Sequence, residues 1–452
     1  MACEFEVKEG IMRVNCSNCI FGSSVEDFDV CFARTIDKLI RIKRVDRIIL
    51  SGNREYEYDE RQTKLLLEVA NTIERLRRNI LNYSRLGNKE CNRCFPERMA
   101  QLKFLINELT RRDPIGAYIK IKRMIAHEKL KSRKERTPCR KCREFYIKNI
   151  LIPIKEALEK TSLIKIAKEK LKGYKLGDRS IYRDIFHPLL RPKFMLTRYS
   201  VLPPEEGIPI ERYSIDGIRV QILRVPESAR FYYHVIAPEF VLSEDEYSIL
   251  EDARKSLLER KPSEKEMIQP AKMREVFFEM GKDEVERAAR RKGIRLAEKK
   301  IEKLADILAR YTAGFGILEV LLSDEKIQDV YINSPIGLLP IYITHDDFEE
   351  CETNLIPTRE DAESWATRFR MLSGRPLDEA NPVLDTSLIV PGGRARVCAI
   401  TRTLSPEGIG YALRRHRERP WTYPLFLNVK FFDPLFAGLM SFLVDGARTL
   451  LI

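Results

Sequence analysis

"SLIVPGGRARVCAI" fills residues 387–400. Two apolar runs flank Pro391-Gly392-Gly393, and a turn of that chemistry between such runs predicts a β-hairpin. "GIGYALRRH" (408–416) predicts a further strand. Upstream, "ILEVLLSDEKIQDVYINSP" (317–335) reads as helix, Ser-Asp cap, short helix and strand. Thr358 and Asp361 in "TRED" predict the start of a helix that runs to Gly374. From about residue 317 the chain is therefore α+β.

Working towards the N-terminus, Ser243–Glu246 ("SEDE") form a capping box that opens a helix to about 260. A charged helical region covers 265–312, and its mix of signs predicts a solvated face. Strand-like runs lie between 195 and 236, among them "GIRVQILRV" and "RFYYHVIAP". Residues 173–194, with Gly, Pro and no clean period, read as a linker. Residues 1–15 read as a hairpin turning at Lys8-Glu9-Gly10. Helical patterns cover 60–85 (stopping at Gly87), 97–111, 114–132 (opening at Pro114) and 143–172 (stopping at Gly173). The expected organisation is a mostly helical, cysteine-rich domain over 1–172, a mixed strand and helix region over 173–316, and an α+β domain over 317–430. No internal repeat or low-complexity segment interrupts it.

A chain of 452 residues fits two to four domains, and 44% hydrophobic residues supply their cores. The net charge of +13, with a pI near 9.2, favours anionic partners: nucleic acid, phosphates or an acidic membrane surface. The apolar runs "ILIPI" (150–154) and "LFAGLMSFLV" (435–444) are too short to span a bilayer. "MACEFEVKEG" has no basic stretch followed by an apolar one, as a secretory signal would. The expected location is cytoplasmic, with peripheral work at the inner face of a membrane.

Eight of the ten cysteines fall within the first 142 residues. Six form the CxxC pairs Cys16/Cys19, Cys91/Cys94 and Cys139/Cys142, joined by Cys3 and Cys31. In a chain without a secretory signal, disulfides explain this poorly. Two thiolates on one tight turn suit a tetrahedral zinc ion, which takes its other ligands from a second turn. A redox CxxC is the alternative, and three copies among Lys and Arg speak against it. The flank "KSRKERTPCRKCRE" (131–144) would lower thiol pKa values and ease metal binding, and it would serve phosphate equally well. Cys91, Cys94, Cys139 and Cys142 are expected to share one zinc. Cys16, Cys19 and Cys31 would form most of a second site, with Cys3 as candidate fourth ligand. The sequence does not fix which pairs share an ion. The five histidines have no metal-ligand spacing.

Three further segments together resemble the N-terminal domain of the ATPases of type II and type IV secretion systems, which also drive pilus and archaellum assembly. They are Leu318–Pro335 with "DVYINSP", Ala380–Arg396 ("ANPVLDTSLIVPGGRAR") and Tyr411–His416 ("YALRRH"). The resemblance covers about 135 residues well and 173–316 loosely. It implies an α+β unit capping a RecA-like motor, with Arg394, Arg396, Arg414 and, more weakly, Arg415 reaching nucleotide phosphates. It also implies ATP and Mg²⁺ in the complete enzyme, a homo-hexamer, and an inner-membrane platform protein as partner. The three CxxC pairs look like an extension of archaeal relatives. No G-x-x-x-x-G-K-[ST] occurs in the 452 residues. Residues 431–452 are expected to begin the motor, with "RTLLI" the strand that feeds its phosphate loop. The chain alone is therefore expected to be inactive as an ATPase. The competing expectations are a zinc-stapled, basic nucleic-acid-binding protein and a non-catalytic adaptor of a membrane assembly.

Overall fold

The computed structural model describes residues 3–17, 19–42, 44–81, 95–134, 137–259, 270–417 and 420–451. β1 (Phe5–Lys8) and β2 (Ile11–Asn15) form the expected hairpin. Its Glu9 and Gly10 both have positive φ (50° and 76°), the twist a two-residue turn requires. Helix α1 (Asp29–Arg41) then crosses to β3 (Arg47–Ser51), which pairs parallel with β2, and β4 (Arg54–Tyr58) returns antiparallel. Helix α2 (Glu60–Ile80) is capped by Asp59, whose carboxylate accepts from Gln62 N at 2.8 Å. Phe32, Ile36 and Leu39 of α1 and Leu66, Val69 and Ile73 of α2 are buried in the same core. The first 58 residues are thus α/β rather than mostly helical. Helices do dominate from 95 to 167, and α3 (Pro114–Lys134) opens on Pro114 as expected.

The expected linker is a folded part of this unit. Tyr182 and Phe186 pack edge-on against Phe32 at 5.5 and 6.3 Å. β5 (Leu189–Pro192) pairs with β4, and β6 (Arg198–Ser200) with β5. Nothing periodic marks these residues, because β4 and Phe32, which hold them, lie more than a hundred positions away.

A second sheet follows. It begins with the meander β7 (Ile208–Ile215), β8 (Ile218–Arg224) and β9 (Phe231–Ile236). Helix α4 (Glu244–Glu259) has the expected capping box: Glu246 N donates to Ser243 Oγ at 3.3 Å and Ser243 N to Glu246 Oε2 at 2.9 Å. Helices α5 (Pro270–Arg291), α6 (Glu298–Thr312) and α7 (Ile317–Leu322) lead to β10 (Ile327–Ile332), β11 (Tyr342–His345), β12 (Glu349–Thr353) and β13 (Leu355–Ile356). Helix α8 (Arg359–Ser373) starts on the Thr358/Asp361 capping box and ends on left-handed Gly374 (φ 65°). Then come β14 (Val383–Val390), β15 (Gly393–Ile400), β16 (Gly410–Arg415), α9 (Tyr423–Asn428) and α10 (Pro434–Asp445). The first sheet runs β1-β2-β3-β4-β5-β6-β13, the second β14-β15-β16-β10-β11-β12-β9-β8-β7. The seams expected at 172/173 and 316/317 are both crossed by paired strands: β4 with β5, and β9 with β12 in parallel.

Two further expectations change. Residues 448–451 form no strand among the described residues, since an isolated segment has no ladder to join. The charged 265–312 region is only partly solvated. Val285, Ala288, Leu304, Ile307 and Leu308 are buried. Arg310 reaches the fully buried Glu239 at 3.1 Å and Asp306 at 2.8 Å, while Arg274 joins Asp306 to Glu319 at 2.8 and 3.1 Å. Tyr311 Oη also donates to Glu239 at 2.7 Å. Charges enter a core only when paired in this way. Among the described residues, no helix is long and apolar enough to cross a membrane.

Asn354 stands where the chain leaves the second sheet for the first. Its Nδ2 donates to Ser200 O (2.8 Å) beside β13 and to Val235 O (2.9 Å) in β9, and its Oδ1 accepts from Val235 N at 2.9 Å. At 3% exposure no water replaces these bonds. Asn354→Ala strands three buried backbone groups and is expected to cost about 3 kcal/mol or more in urea unfolding.

His345 supplies a pH test. Asp347 N donates to its Nδ1 and Tyr213 Oη meets its Nε2, both at 3.1 Å, while Tyr213 donates to Asp324 at 2.7 Å. This pattern needs neutral imidazole, and burial lowers its pKa below the ordinary 6.5. The unfolded chain then binds the proton more readily, so stability is full above about pH 6.5 and falls as pH drops. Urea melts from about pH 7.5 to about pH 5 should show a shallower acid loss for His345→Gln than for the unaltered chain.

Candidate functional site

Strand alternation sorts the basic residues of the quoted hairpin and its neighbour. Ala395 and Val397 of β15 face the core, and Arg394 and Arg396 face solvent. Leu413 and Arg415 of β16 are buried, and Arg414 is exposed. Arg394, Arg396 and Arg414 therefore share one open sheet face. The register sets Arg396 directly opposite Arg414. Like charges so placed repel, and two carboxylates relieve the strain. Arg414 Nε donates to Asp329 Oδ1 on β10 at 2.8 Å, and Arg396 stands 3.8 Å from Asp385 on β14. The Asp329 hydrogen bond raises the Arg414 pKa further above its ordinary value. Arg394 forms no ion pair among the described residues.

Arg415 lies on the other side of the sheet. Its Nε donates to Leu322 O at 2.9 Å and its Nη2 to Gly392 O at 3.3 Å, tying the end of α7 to the hairpin turn. Both glycines of that turn are needed. Gly392 has φ +81°, and a Cβ on Gly393 would sit 2.4 Å from Leu322 O. Of the four arginines expected at phosphate, three are thus presented to solvent and Arg415 is held by main-chain carbonyls.

A cleft of about 680 Å³ adjoins Arg414. Lys326, Asp346, Arg417 and Trp421 line it, with Asp329 and the edge of Arg415. The Arg417 guanidinium lies 4.1 Å from the Trp421 ring centre, and Trp421 stacks on Phe426 at 4.9 Å. The sequence reading missed Lys326, Arg417 and Trp421. The one usable signal was a rare residue type, one of two tryptophans, just past the basic strand. Exposed guanidinium forks on adjacent strands are a donor set for a phosphate or carboxylate, whose oxygens they take bidentately.

The cysteines divide into two groups. Cys91 and Cys94 lie outside the described residues, as does the side chain of Cys139. Cys142 is buried and accepts from Arg98 Nη1 at 3.1 Å. Cys3, Cys16, Cys19 and Cys31 are all free thiols. Glu4 O accepts from Asn15 N at 2.9 Å, which carries the β1–β2 pairing one step on and brings Cys3 alongside Cys16. Cys19 N donates to Cys16 O at 2.9 Å, closing the CxxC turn. Cys31 begins α1, and Arg34, one turn later, places Nη1 3.5 Å from Cys3 Sγ and 3.4 Å from Cys19 Sγ. Burial and the neighbouring sulfurs push the Cys16 thiol up to about 12, and Cys31 higher still for the same reasons. Among the described residues, no three metal-ligating side chains stand ready around one point.

No family model matches the chain. It is similar to the uncharacterized protein MJ0781 of Methanocaldococcus jannaschii, 25% identical over 282 residues, which covers 62% of this chain and 36% of that protein. It is also similar to the uncharacterized protein MJ1288 of the same organism, 31% identical over 104 residues, 23% of this chain and 40% of that protein. The chain thus spans well under half the length of these curated relatives. Among solved structures it is similar to the VirB11 ATPase from the Brucella suis type IV secretion system in complex with sulphate. That likeness has 18% identity, covers 27% of this chain and 38% of the other, and has a TM-score of 0.19, too small to bear on fold or function.

The arginines should separate cleanly on substitution. Arg415→Ala leaves two carbonyls unpaired beneath the turn and is expected to cost about 2 kcal/mol in urea unfolding. Arg414→Ala, on the open face, should stay within about 0.5 kcal/mol of the unaltered chain.

Proposed function

We propose that this chain is the nucleotide-facing portion of a secretion or pilus-assembly ATPase, whose exposed Arg394, Arg396 and Arg414 contact phosphate held by a P-loop motor. The observation that carries this reading is the pairing of Arg396 with Arg414 across adjacent strands of an open sheet face. These residues stand in the "GGRAR" and "YALRR" segments that carry the family resemblance. Asp329 and Asp385 hold the guanidinium groups until a more highly charged anion displaces them. Arginine suits the role because it stays charged and its planar fork matches phosphate oxygens. Arg415 would act indirectly, by fixing the turn.

In complete form the protein would take ATP and Mg²⁺, assemble as a homo-hexamer, and couple hydrolysis to protein export or filament assembly. It would do so at the cytoplasmic face of the membrane, against an inner-membrane platform protein. Helix α10 exposes Leu435, Leu439 and Phe442 along one side. Such a row favours cover by a further folded domain, which the greater length of the relatives leaves room for.

The test is ATP hydrolysis by a polypeptide that carries these residues together with its P-loop motor. Arg396→Ala and Arg414→Ala are each expected to lower kcat on the order of 10²-fold with the fold intact by circular dichroism. Turnover unchanged in both variants would sink the reading. The 452 residues alone should show no turnover above background.

A further inference from the structure

We propose that Cys3, Cys16, Cys19 and Cys31 together bind one zinc ion through four thiolates, with Arg34 as the cation that balances the cluster. Four free thiols converge here from three separated parts of the chain: the approach to β1, the turn after β2, and the first turn of α1. Three are brought in by main-chain bonding or a direct contact, and Cys31 stands on α1 one turn before Arg34. Cys16 N donates to Ser51 O at 2.8 Å, which extends the β2–β3 ladder and fixes where the CxxC turn begins. The Asn15–Glu4 bond sets Cys3 beside it. One nitrogen of Arg34 touches both Cys3 and Cys19 sulfurs. Cys16 and Cys31 are each 6% exposed, so the cluster has a dry side and an open side.

Four thiols in one region, two of them buried, are a poor way to fill a core. They pack like small hydrophobes, yet the sulfurs of Cys3 and Cys19 both face a guanidinium. A tetrahedral d¹⁰ ion accounts for both features, since zinc takes four thiolates at about 2.3 Å. On binding, four thiols lose four protons to solvent and the dication enters, so the site carries two negative charges. Arg34 offsets one. The ion has to draw the sulfurs from contact with Arg34 onto a common centre. A site so built would pin the β1 strand and the CxxC turn to α1, so that metal affinity adds to folding free energy. It also resolves the ligand set: Cys3 completes the group, and none of the other CxxC pairs is required.

The test uses the full chain purified reduced, with metal content measured by mass spectrometry. Cys16→Ser and Cys31→Ser should each carry one zinc equivalent less than the unaltered chain. Cys351→Ser, which removes a buried cysteine on β12, should lose none. Cobalt loaded into the stripped chain should give the visible bands of a tetrahedral thiolate site. Because the serine variants could misfold, a second measurement uses the unaltered chain. Zinc added after stripping should protect the half-exposed Cys3 and Cys19 from alkylation, read by peptide mapping. Equal alkylation with and without zinc, iron in place of zinc, or unchanged zinc content in folded Cys16→Ser and Cys31→Ser would each overturn the proposal.

Discussion

The amide of Asn354 holds the molecule's two sheets in one register. One side chain satisfies the Ser200 carbonyl of the first sheet and both polar groups of Val235 in the second. The chain crosses between sheets at this residue, from β12 into β13. Asn354 is one of several ties between the N-terminal unit and the rest, beside Thr197 Oγ1 donating to Asp361 Oδ2 at 3.0 Å at the start of α8 and Arg54 meeting Glu244 at 2.6 Å. A buried amide is a demanding choice, because each buried bond left unmade costs more than a made one contributes. It is also specific, since an apolar residue of similar size would permit the strands to slide.

Local signals were legible and distant ones were not. The 387–400 hairpin, the strand 410–415, the Thr358/Asp361 capping box and the start of α2 follow from turn chemistry, alternation and caps within a few residues. By contrast, β5 exists because β4 offers it an edge, and β9 joins β12 across more than a hundred residues. The α1 pattern, with Phe32, Ile36 and Leu39 at helical spacing, was present but went unread beside the cysteines. "RIILSGNREYEY" (47–58) likewise carried a usable turn signal.

The sites show the same division. Residue types named the arginines and the cysteines, but only the fold sorted them. Period-two alternation alone forbids Arg414 and Arg415 from facing the same way, and the structure puts the first in water and the second against carbonyls. For the cysteines, the grouping of Cys3 with the Cys16 turn depends on the β1–β2 register and on Arg34, neither of which spacing reveals. Lys326, Arg417 and Trp421 come together only through the order of strands in the second sheet.

The grip of Arg415 on Leu322 O and Gly392 O also acts as a proofreading device. β16 carries "YALRRH", so a slip by one residue would bring Arg414 or His416 into the buried position and turn Arg415 outward. A slip towards Arg414 still offers a guanidinium but buries Ala412 and exposes Leu413; a slip towards His416 loses the long reach to two carbonyls. Only one alignment satisfies the turn and the core together. The doubled arginine therefore serves as a ruler: the inner one measures the strand into place, and the outer one is thereby delivered to solvent.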